Sequence, residues 1–109
     1  MLTDAEIVLI ATDFRTGILN GHSSQLMCAA VSWPLQGYLS AIHGLETEAV
    51  ESDLGHMNHT WLRLPDGRAL DATADQFNTL FPDMNLPPVY LGKPLSIHPY
   101  RGESARSRQ

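Results

Sequence analysis

The twenty residues "NHTWLRLPDGRALDATADQF", numbered 58–77, predict a β-hairpin and decide the fold. Two short runs rich in apolar residues flank the turn sequence "LPDGR". Pro65 suits the first position of a type I turn, and Gly67 suits the left-handed position of the G1 bulge that follows it. Leu64 is therefore expected to face Arg68 across the ladder. This three-residue loop determines which side chains share a face of the hairpin.

The register of this hairpin puts an imidazole and a carboxylate on one face of the predicted sheet. Counting back from the turn, Leu62 faces Leu70 and Trp61 faces Asp71. Because side chains alternate along a strand, His59, Trp61 and Asp71 lie on the same face. His59 and Asp71 are then diagonal neighbours within reach of each other. A carboxylate that accepts one ring proton leaves the other ring nitrogen free to act as a base.

The single cysteine of the chain, Cys28, supplies a nucleophile for such a base. We expect it in the first turn of a helix that is capped by Ser23 or Ser24. Unpaired N–H groups and the helix dipole favour a thiolate at that position. Pro34 predicts a kink in this helix, or a restart with Ser32 as a new cap. A helix with the cysteine, a strand with the histidine and a strand with the aspartate together predict a nucleophile, a base and an orienting group.

The other segments predict an α+β domain, in which helices pack on a small antiparallel sheet. Thr3 and Glu6 form a capping box ahead of an apolar run, so a first helix is expected from about residue 4 to residue 14, with Gly17 near its end. The remaining expected elements are an end of the second helix at Gly44, a strand in residues 48–54, a short helical turn in residues 75–81 and an edge strand in residues 87–92.

Length and charge indicate one folded domain in the cytoplasm. We expect a single domain over residues 1–98 and a polar C-terminal tail over residues 99–109. The net charge of −5 argues against binding to nucleic acid or to an anionic membrane surface. No apolar run is long enough to span a bilayer, and the first residues lack the basic region of a signal peptide. A lone cysteine fits a reducing compartment.

The hairpin and the cysteine helix resemble the transglutaminase-like branch of the papain-fold thiol enzymes. That family carries patterns like H-A-W-[IV] and L-D-P-T on consecutive strands, and here "HTWL" and "LDAT" stand at the matching positions. Its cysteine helix follows C-x3-S-x2-L-x3-L, which "CAAVSWPLQGYL" matches from Cys28 onward. The resemblance covers residues 21–77, with Thr60 and Ala72 in place of the usual Ala and Pro.

The resemblance implies a papain-like or transglutaminase-like core and a cysteine-dependent acyl-transfer enzyme, such as a peptidase, amidase, deamidase or acyltransferase. Cys28 is the implied nucleophile, His59 the base and Asp71 the residue that orients the base. Gln25 and Trp61 are candidates for contacts with the oxyanion or the substrate. The expected partner is a peptide, a protein or a small amide or thioester. The alternative is a catalytically inactive papain-like domain that binds a protein or peptide.

No cofactor and no metal are expected. His56 and His59 stand three residues apart with Asp53 and Asp71 nearby, but this spacing fits no standard zinc motif. The sequence also lacks the glycine-rich patterns of nucleotide-phosphate loops. Three further histidines are expected on the surface: His22, His43 and His98.

Overall fold

A computed structural model of the chain describes residues 2–100. Its helices and strands follow one another in the order α1 (Asp4–Leu19), α2 (Cys28–His43), β1 (Glu48–Asp53), β2 (Asn58–Arg63), β3 (Ala69–Asp71) and β4 (Tyr90–Gly92). The strands form one antiparallel sheet in the order β1-β2-β3-β4, which confirms the predicted α+β class. Within the described residues, no helix has both the length and the apolar character that crossing a bilayer requires.

The turn between β2 and β3 has the predicted three-residue form. The N–H of Leu64 donates to the carbonyl of Arg68 at 2.9 Å, and the N–H of Gly67 donates to the carbonyl of Leu64 at 2.9 Å. Gly67 has a φ of 93°, a backbone conformation that glycine adopts without steric cost. Leu62 pairs with Leu70, so the register of the hairpin is the predicted one.

The first helix begins at the predicted capping box but ends later than predicted. Thr3 and Glu6 exchange side-chain and backbone hydrogen bonds at 2.8 and 3.1 Å. The predicted end near residue 14 is wrong, because Leu19 is buried in the core and holds the last turn of α1 in place. Gly17 therefore lies inside the helix, and Asn20 closes it in a left-handed conformation with a φ of 48°.

The second helix runs unbroken through Pro34, so the predicted restart at Ser32 is wrong. Ser32 is buried and donates its hydroxyl hydrogen bond to the carbonyl of Thr60 on β2 at 3.1 Å. The helix ends at Gly44 as predicted, with a φ of 65°. Buried apolar side chains hold α2 against the sheet on both sides of the proline: Val31, Leu35 and Leu39. This packing offsets the backbone hydrogen bond that proline cannot make.

Different parts of the chain cover the two faces of the sheet. The two helices pack on one face, where Leu62, Leu64 and Leu70 belong to the main core. On the other face, Trp61 and its cross-strand partner Val50 form a second cluster. The side chains of β2 alternate as predicted between a face that the helices cover and a face that the helices leave uncovered.

Residues 95–100, which we call the C-terminal segment, return to this second face. The hydroxyl of Ser52 on β1 donates to the carbonyl of Pro99 at 2.6 Å. The hydroxyl of Tyr100 donates to the carboxylate of Glu48 at 3.1 Å. The first two residues of the predicted tail thus contact β1, and residues 101–109 of that tail lie outside the described residues.

Candidate active site

His59 and Asp71 meet in the interior, as the hairpin register predicts. Nε2 of His59 lies 2.6 Å from Oδ2 of Asp71, and both side chains are fully buried. The other carboxylate oxygen, Oδ1, accepts hydrogen bonds from the backbone N–H of Thr73 at 3.0 Å and from its hydroxyl at 3.4 Å. The carboxylate is therefore fixed at both oxygens, which orients the imidazole that it contacts.

Asp71 has a further partner, His98, which the sequence does not reveal. Nε2 of His98 lies 2.7 Å from the same Oδ2, and His98 is buried. The prediction of a surface position for His98 is wrong, because the C-terminal segment brings its ring against Trp61, with centroids 5.0 Å apart. Of the other two histidines, His22 is exposed and His43 is half-buried. The apolar residues within "LSIHPY" are the one signal that could have indicated burial of this segment.

The contacts of Asp71 and His59 determine their charges. Burial opposes the ionisation of Asp71, yet the hydrogen bonds from His59 and His98 outweigh burial and hold the pKa of this carboxyl well below its usual range. Burial likewise disfavours the imidazolium, but the hydrogen bonds and charges of Asp71 and Cys28 raise the pKa of His59 to about 9. At neutral pH, Asp71 is therefore a carboxylate and His59 an imidazolium.

Cys28 is the first residue of α2 and is only 8% exposed. Burial by itself raises the pKa of its thiol, but the imidazole of His59 and the backbone N–H groups of Thr60 and Ala29 outweigh burial and lower that pKa below its ordinary value. The carbonyl of Thr60 also accepts from Ser32, so both backbone polar groups of Thr60 face α2. The start of the helix thus lies beside β2, beyond the last pair that β2 makes with β3.

The remaining ring nitrogen of His59, Nδ1, is the one left for Cys28. Nε2 is bonded to Asp71, whereas Nδ1 is buried and lacks a hydrogen bond of ordinary geometry among the described residues. The thiol and the imidazole interact, and each favours the charged form of the other. The ring of Phe77 packs edge-on against the imidazole with centroids 4.7 Å apart, which restricts its rotation.

The helix that carries Cys28 starts without a side-chain cap, so the prediction of a cap at Ser23 or Ser24 is wrong. Met27 occupies the cap position and makes no side-chain hydrogen bond there. The N–H of Met27 donates to the carbonyl of Ser24 at 3.1 Å, and Leu26 between them has a φ of 62°. This turn takes Ser24 away from the helix, and its hydroxyl donates to Asp75 at 2.8 Å instead.

Arg15 ties the loop after β3 to the first helix. Its guanidinium donates to the carbonyl of Ala72 at 3.0 Å and to the two carboxylate oxygens of Asp75 at 2.9 and 3.2 Å. Because Asp75 also accepts from Ser24, one carboxylate connects α1, the loop after β3 and the turn that precedes Cys28. Cys28 and the hairpin are thereby held by the same network.

The two side chains predicted to contact the oxyanion or the substrate are both engaged elsewhere. Trp61 is fully buried and its indole N–H donates to Ser52 at 2.9 Å, so the structure places it in the core. Gln25 is exposed, and its amide donates to the carbonyl of Gln76 at 2.7 Å. Backbone N–H groups in the first turn of α2, which have no intrahelical partner, are donors close to Cys28.

The cluster of His59, Asp71 and His98 consists of residue types that also bind metals, with ligand atoms within 4.8 Å of one another. The two Nε2-to-Oδ2 distances of 2.6 and 2.7 Å are hydrogen-bond lengths. Ligand atoms around a tetrahedral zinc, each about 2.0–2.1 Å from the ion, lie about 3.3 Å apart. Hydrogen bonding therefore accounts for the close approach of these three side chains.

No family model, no curated protein and no solved structure matches the chain. The resemblance to transglutaminase-like enzymes thus stays a prediction, and the case for a function rests on the residues of the site.

Proposed function

We propose that this protein is a cysteine-dependent acyl-transfer enzyme with a papain-like or transglutaminase-like core, in which Cys28, His59 and Asp71 form the catalytic triad. One observation carries the proposal. A buried imidazole interacts with a thiol at one edge and is hydrogen-bonded at the other edge to an ionised carboxylate. This arrangement supports the proposal because it favours the thiolate form of the nucleophile and provides a proton for the leaving group.

The first half of the proposed reaction forms an acyl-enzyme. The thiolate of Cys28 attacks the carbonyl carbon of an amide or thioester, and the π electrons move to the carbonyl oxygen. Backbone N–H groups at the start of α2 stabilise this oxyanion. The oxyanion then re-forms the carbonyl and expels the amine or thiol, which takes the proton from the imidazolium of His59. An S-acyl group remains on Cys28, and His59 is neutral.

The second half releases the acyl group. Water or an amine attacks the thioester, and neutral His59 takes the proton of the attacking group. The tetrahedral intermediate collapses and expels the thiolate of Cys28, which restores the ion pair. Asp71 stabilises the imidazolium in both halves and keeps the proton of His59 on Nε2 between them. Hydrolysis, deamidation and acyl transfer share these steps and differ in the leaving group or the acceptor.

The proposed substrate is an amide or thioester carried by a peptide, a protein or a small molecule. The steps above need neither a metal ion nor a cofactor. They need a reduced thiol at Cys28, and we therefore propose the cytoplasm as the place where the enzyme works.

An activated ester tests this proposal without knowledge of the substrate. The parent protein is mixed with p-nitrophenyl acetate, while p-nitrophenolate release is followed by absorbance and acetylation by intact mass spectrometry. We expect one rapidly formed acetyl group on Cys28 that water or an added amine removes. Cys28→Ser is the control and should not show the rapid phase. Acetylation no faster than that of a cysteine peptide would contradict the proposal and favour the inactive binding domain.

A further inference from the structure

We infer that His98 is a positioning residue that limits the proton affinity of His59, an inference that rests on the proposed triad. The imidazole of His98 converges on the same carboxylate oxygen that His59 contacts. The two Nε2 atoms lie 2.7 and 2.6 Å from Oδ2 of Asp71, and all three side chains are fully enclosed. The proposed reaction steps assign no role to His98.

The structure determines which ring nitrogen of His98 carries the proton. The backbone N–H of Leu95 donates to Nδ1 of His98 at 3.1 Å, so Nδ1 is an acceptor and carries no proton. The backbone N–H of His98 donates in return to the carbonyl of Leu95 at 2.9 Å. A short turn of the C-terminal segment therefore leaves the proton of His98 on Nε2, which donates to Asp71.

A second hydrogen-bond donor on Oδ2 weakens the stabilisation that Asp71 gives to the imidazolium of His59. Each N–H draws on the negative charge of the same oxygen, so neither receives the full stabilisation that a single donor would have. The positive end of the His98 N–H dipole also lies near the proton of His59. Both effects disfavour the imidazolium form of His59.

This effect matters because His59 has to give its proton to the leaving group. Its pKa is already raised to about 9 by Asp71 and Cys28, in spite of burial. A general acid works best when its pKa lies near the working pH. Without the second donor on Asp71, His59 would hold its proton more tightly, and expulsion of the leaving group would slow.

The groups that set the charge of His59 come from different elements. Cys28 on α2 and Asp71 on β3 face His59, and His98 on the C-terminal segment faces Asp71. Tyr90 on β4 stacks on His98 with ring centroids 5.7 Å apart, but its hydroxyl donates to a backbone carbonyl instead. Of these, His98 can be changed without altering the triad itself.

The test uses two variants that differ in whether they keep a donor. The amide nitrogen of His98→Gln can take the place of the ring Nε2, whereas His98→Leu is apolar and donates nothing. In each protein, the rate of Cys28 alkylation is measured against pH with iodoacetate and with iodoacetamide. Both reagents need the thiolate, but only the anionic one is attracted by the imidazolium. The ratio of the iodoacetate rate to the iodoacetamide rate therefore falls at the pH where His59 loses its proton.

We expect the midpoint of this fall to lie about one pH unit higher in His98→Leu than in the parent, and to return close to the parent value in His98→Gln. Turnover of p-nitrophenyl acetate should decrease in His98→Leu and be largely rescued in His98→Gln. If His98 only packed against its neighbours, both variants would lower the Tm and neither would move the midpoint. An unmoved or lowered midpoint in His98→Leu overturns the inference.

A measurement on the parent protein covers the case in which His98→Leu does not fold. Nitrogen-15 NMR of the histidine side chains should show His98 with a proton on Nε2 and none on Nδ1, and the reverse tautomer overturns the inference. Failure of the proposed function looks different. The Cys28 thiol of the parent would then react with iodoacetamide no faster than a free cysteine near pH 6. If the Cys28 thiol of the parent is reactive but the midpoint is the same in His98→Leu, the inference about His98 is refuted and the proposed function is not.

Discussion

Ser32 on the cysteine helix donates a hydrogen bond to the carbonyl of Thr60 on the strand that carries the histidine, at 3.1 Å. Ser32 lies about one helical turn after Cys28, and Thr60 follows His59 directly. This bond therefore fixes the start of α2 in register with β2. It explains how the thiol of Cys28 and the imidazole of His59 come together although the two residues are far apart in the sequence.

Removal of this bond should affect both stability and the site. Ser32→Ala leaves the buried carbonyl of Thr60 without its side-chain partner, so the free energy of unfolding should fall by about 1–3 kcal/mol. The reactivity of Cys28 toward iodoacetamide near pH 6 should fall as well. Urea unfolding and alkylation rates measure the two effects, with half-buried Ser40→Ala on the same helix as the control. A Ser32→Ala protein as stable as the parent would show that the bond does not clamp the helix.

Asp71→Asn should weaken the ion pair and destabilise the fold. An amide carries no negative charge to stabilise an imidazolium. Its NH₂ group would also face the N–H groups of His59, His98 and Thr73, which donate to the carboxylate in the parent. We expect alkylation of Cys28 near pH 6 to slow by about tenfold or more, together with a lower Tm.

The matched control for Asp71→Asn is Asp13→Asn, which makes the same change at an exposed carboxylate on α1. It should leave both the alkylation rate and the Tm unchanged. Equal behaviour of the two variants would mean that Asp71 does not support the charge of His59.

The dependence of stability on pH should change when Cys28 is replaced by serine. The folded pKa of His59, about 9, lies above the unfolded value of about 6.5, so its contribution is present below about 6.5 and is lost as pH rises toward 9. The folded pKa of the Cys28 thiol is lowered, so its contribution is lost as pH falls through that value and is complete above the unfolded pKa. In the parent, the two contributions to the free energy of unfolding therefore change with pH in opposite directions, as two opposing slopes.

Cys28→Ser removes one of these opposing slopes. Above about pH 6.5, its free energy of unfolding should fall more steeply with rising pH than that of the parent, up to the folded pKa of His59 in the variant, which lies below the parent value of about 9 because Cys28 no longer raises it. Urea titrations at several pH values measure the two slopes. Parallel curves for both proteins would be evidence against coupled charges on Cys28 and His59.

Replacement of glycine by alanine should have opposite effects on stability at two positions. Gly67 has a φ of 93°, a backbone conformation that strains any residue with a Cβ, so Gly67→Ala should destabilise the protein by about 1 kcal/mol or more. Gly37 lies within α2 with nothing within 4 Å of a Cβ, so Gly37→Ala should stabilise it by about 0.5–1 kcal/mol. Thermal unfolding measures both, and a stabilising Gly67→Ala would be inconsistent with the G1 turn.

Local patterns in the sequence were sufficient to predict the elements whose geometry is set by near neighbours. The turn "LPDGR" predicted the loop, and with it the pairing of Leu62 with Leu70 and the contact between His59 and Asp71. The capping box at Thr3 predicted the start of α1. In each case the hydrogen bonds that determine the structure join residues close in the sequence.

The failures all depend on contacts between distant parts of the chain. The last turn of α1 persists because Leu19 is buried, and α2 continues past Pro34 because Leu35 and Leu39 pack in the core. Ser24 does not cap α2 because Asp75 accepts its hydroxyl. His98 is buried because the C-terminal segment crosses the sheet, and no local pattern predicts where that segment returns.

The reactivity of Cys28 toward iodoacetamide as a function of pH tests the central claim, that His59 and Asp71 keep this thiol ionised. The rate in the parent protein is measured from about pH 5 to pH 9 and divided by the rate of a cysteine peptide at each pH. We predict a ratio that rises well above one as the pH falls below about 8.5, where the thiol of the peptide is mostly protonated. A ratio that stays below one at every pH, as for an ordinary buried thiol, would contradict the claim.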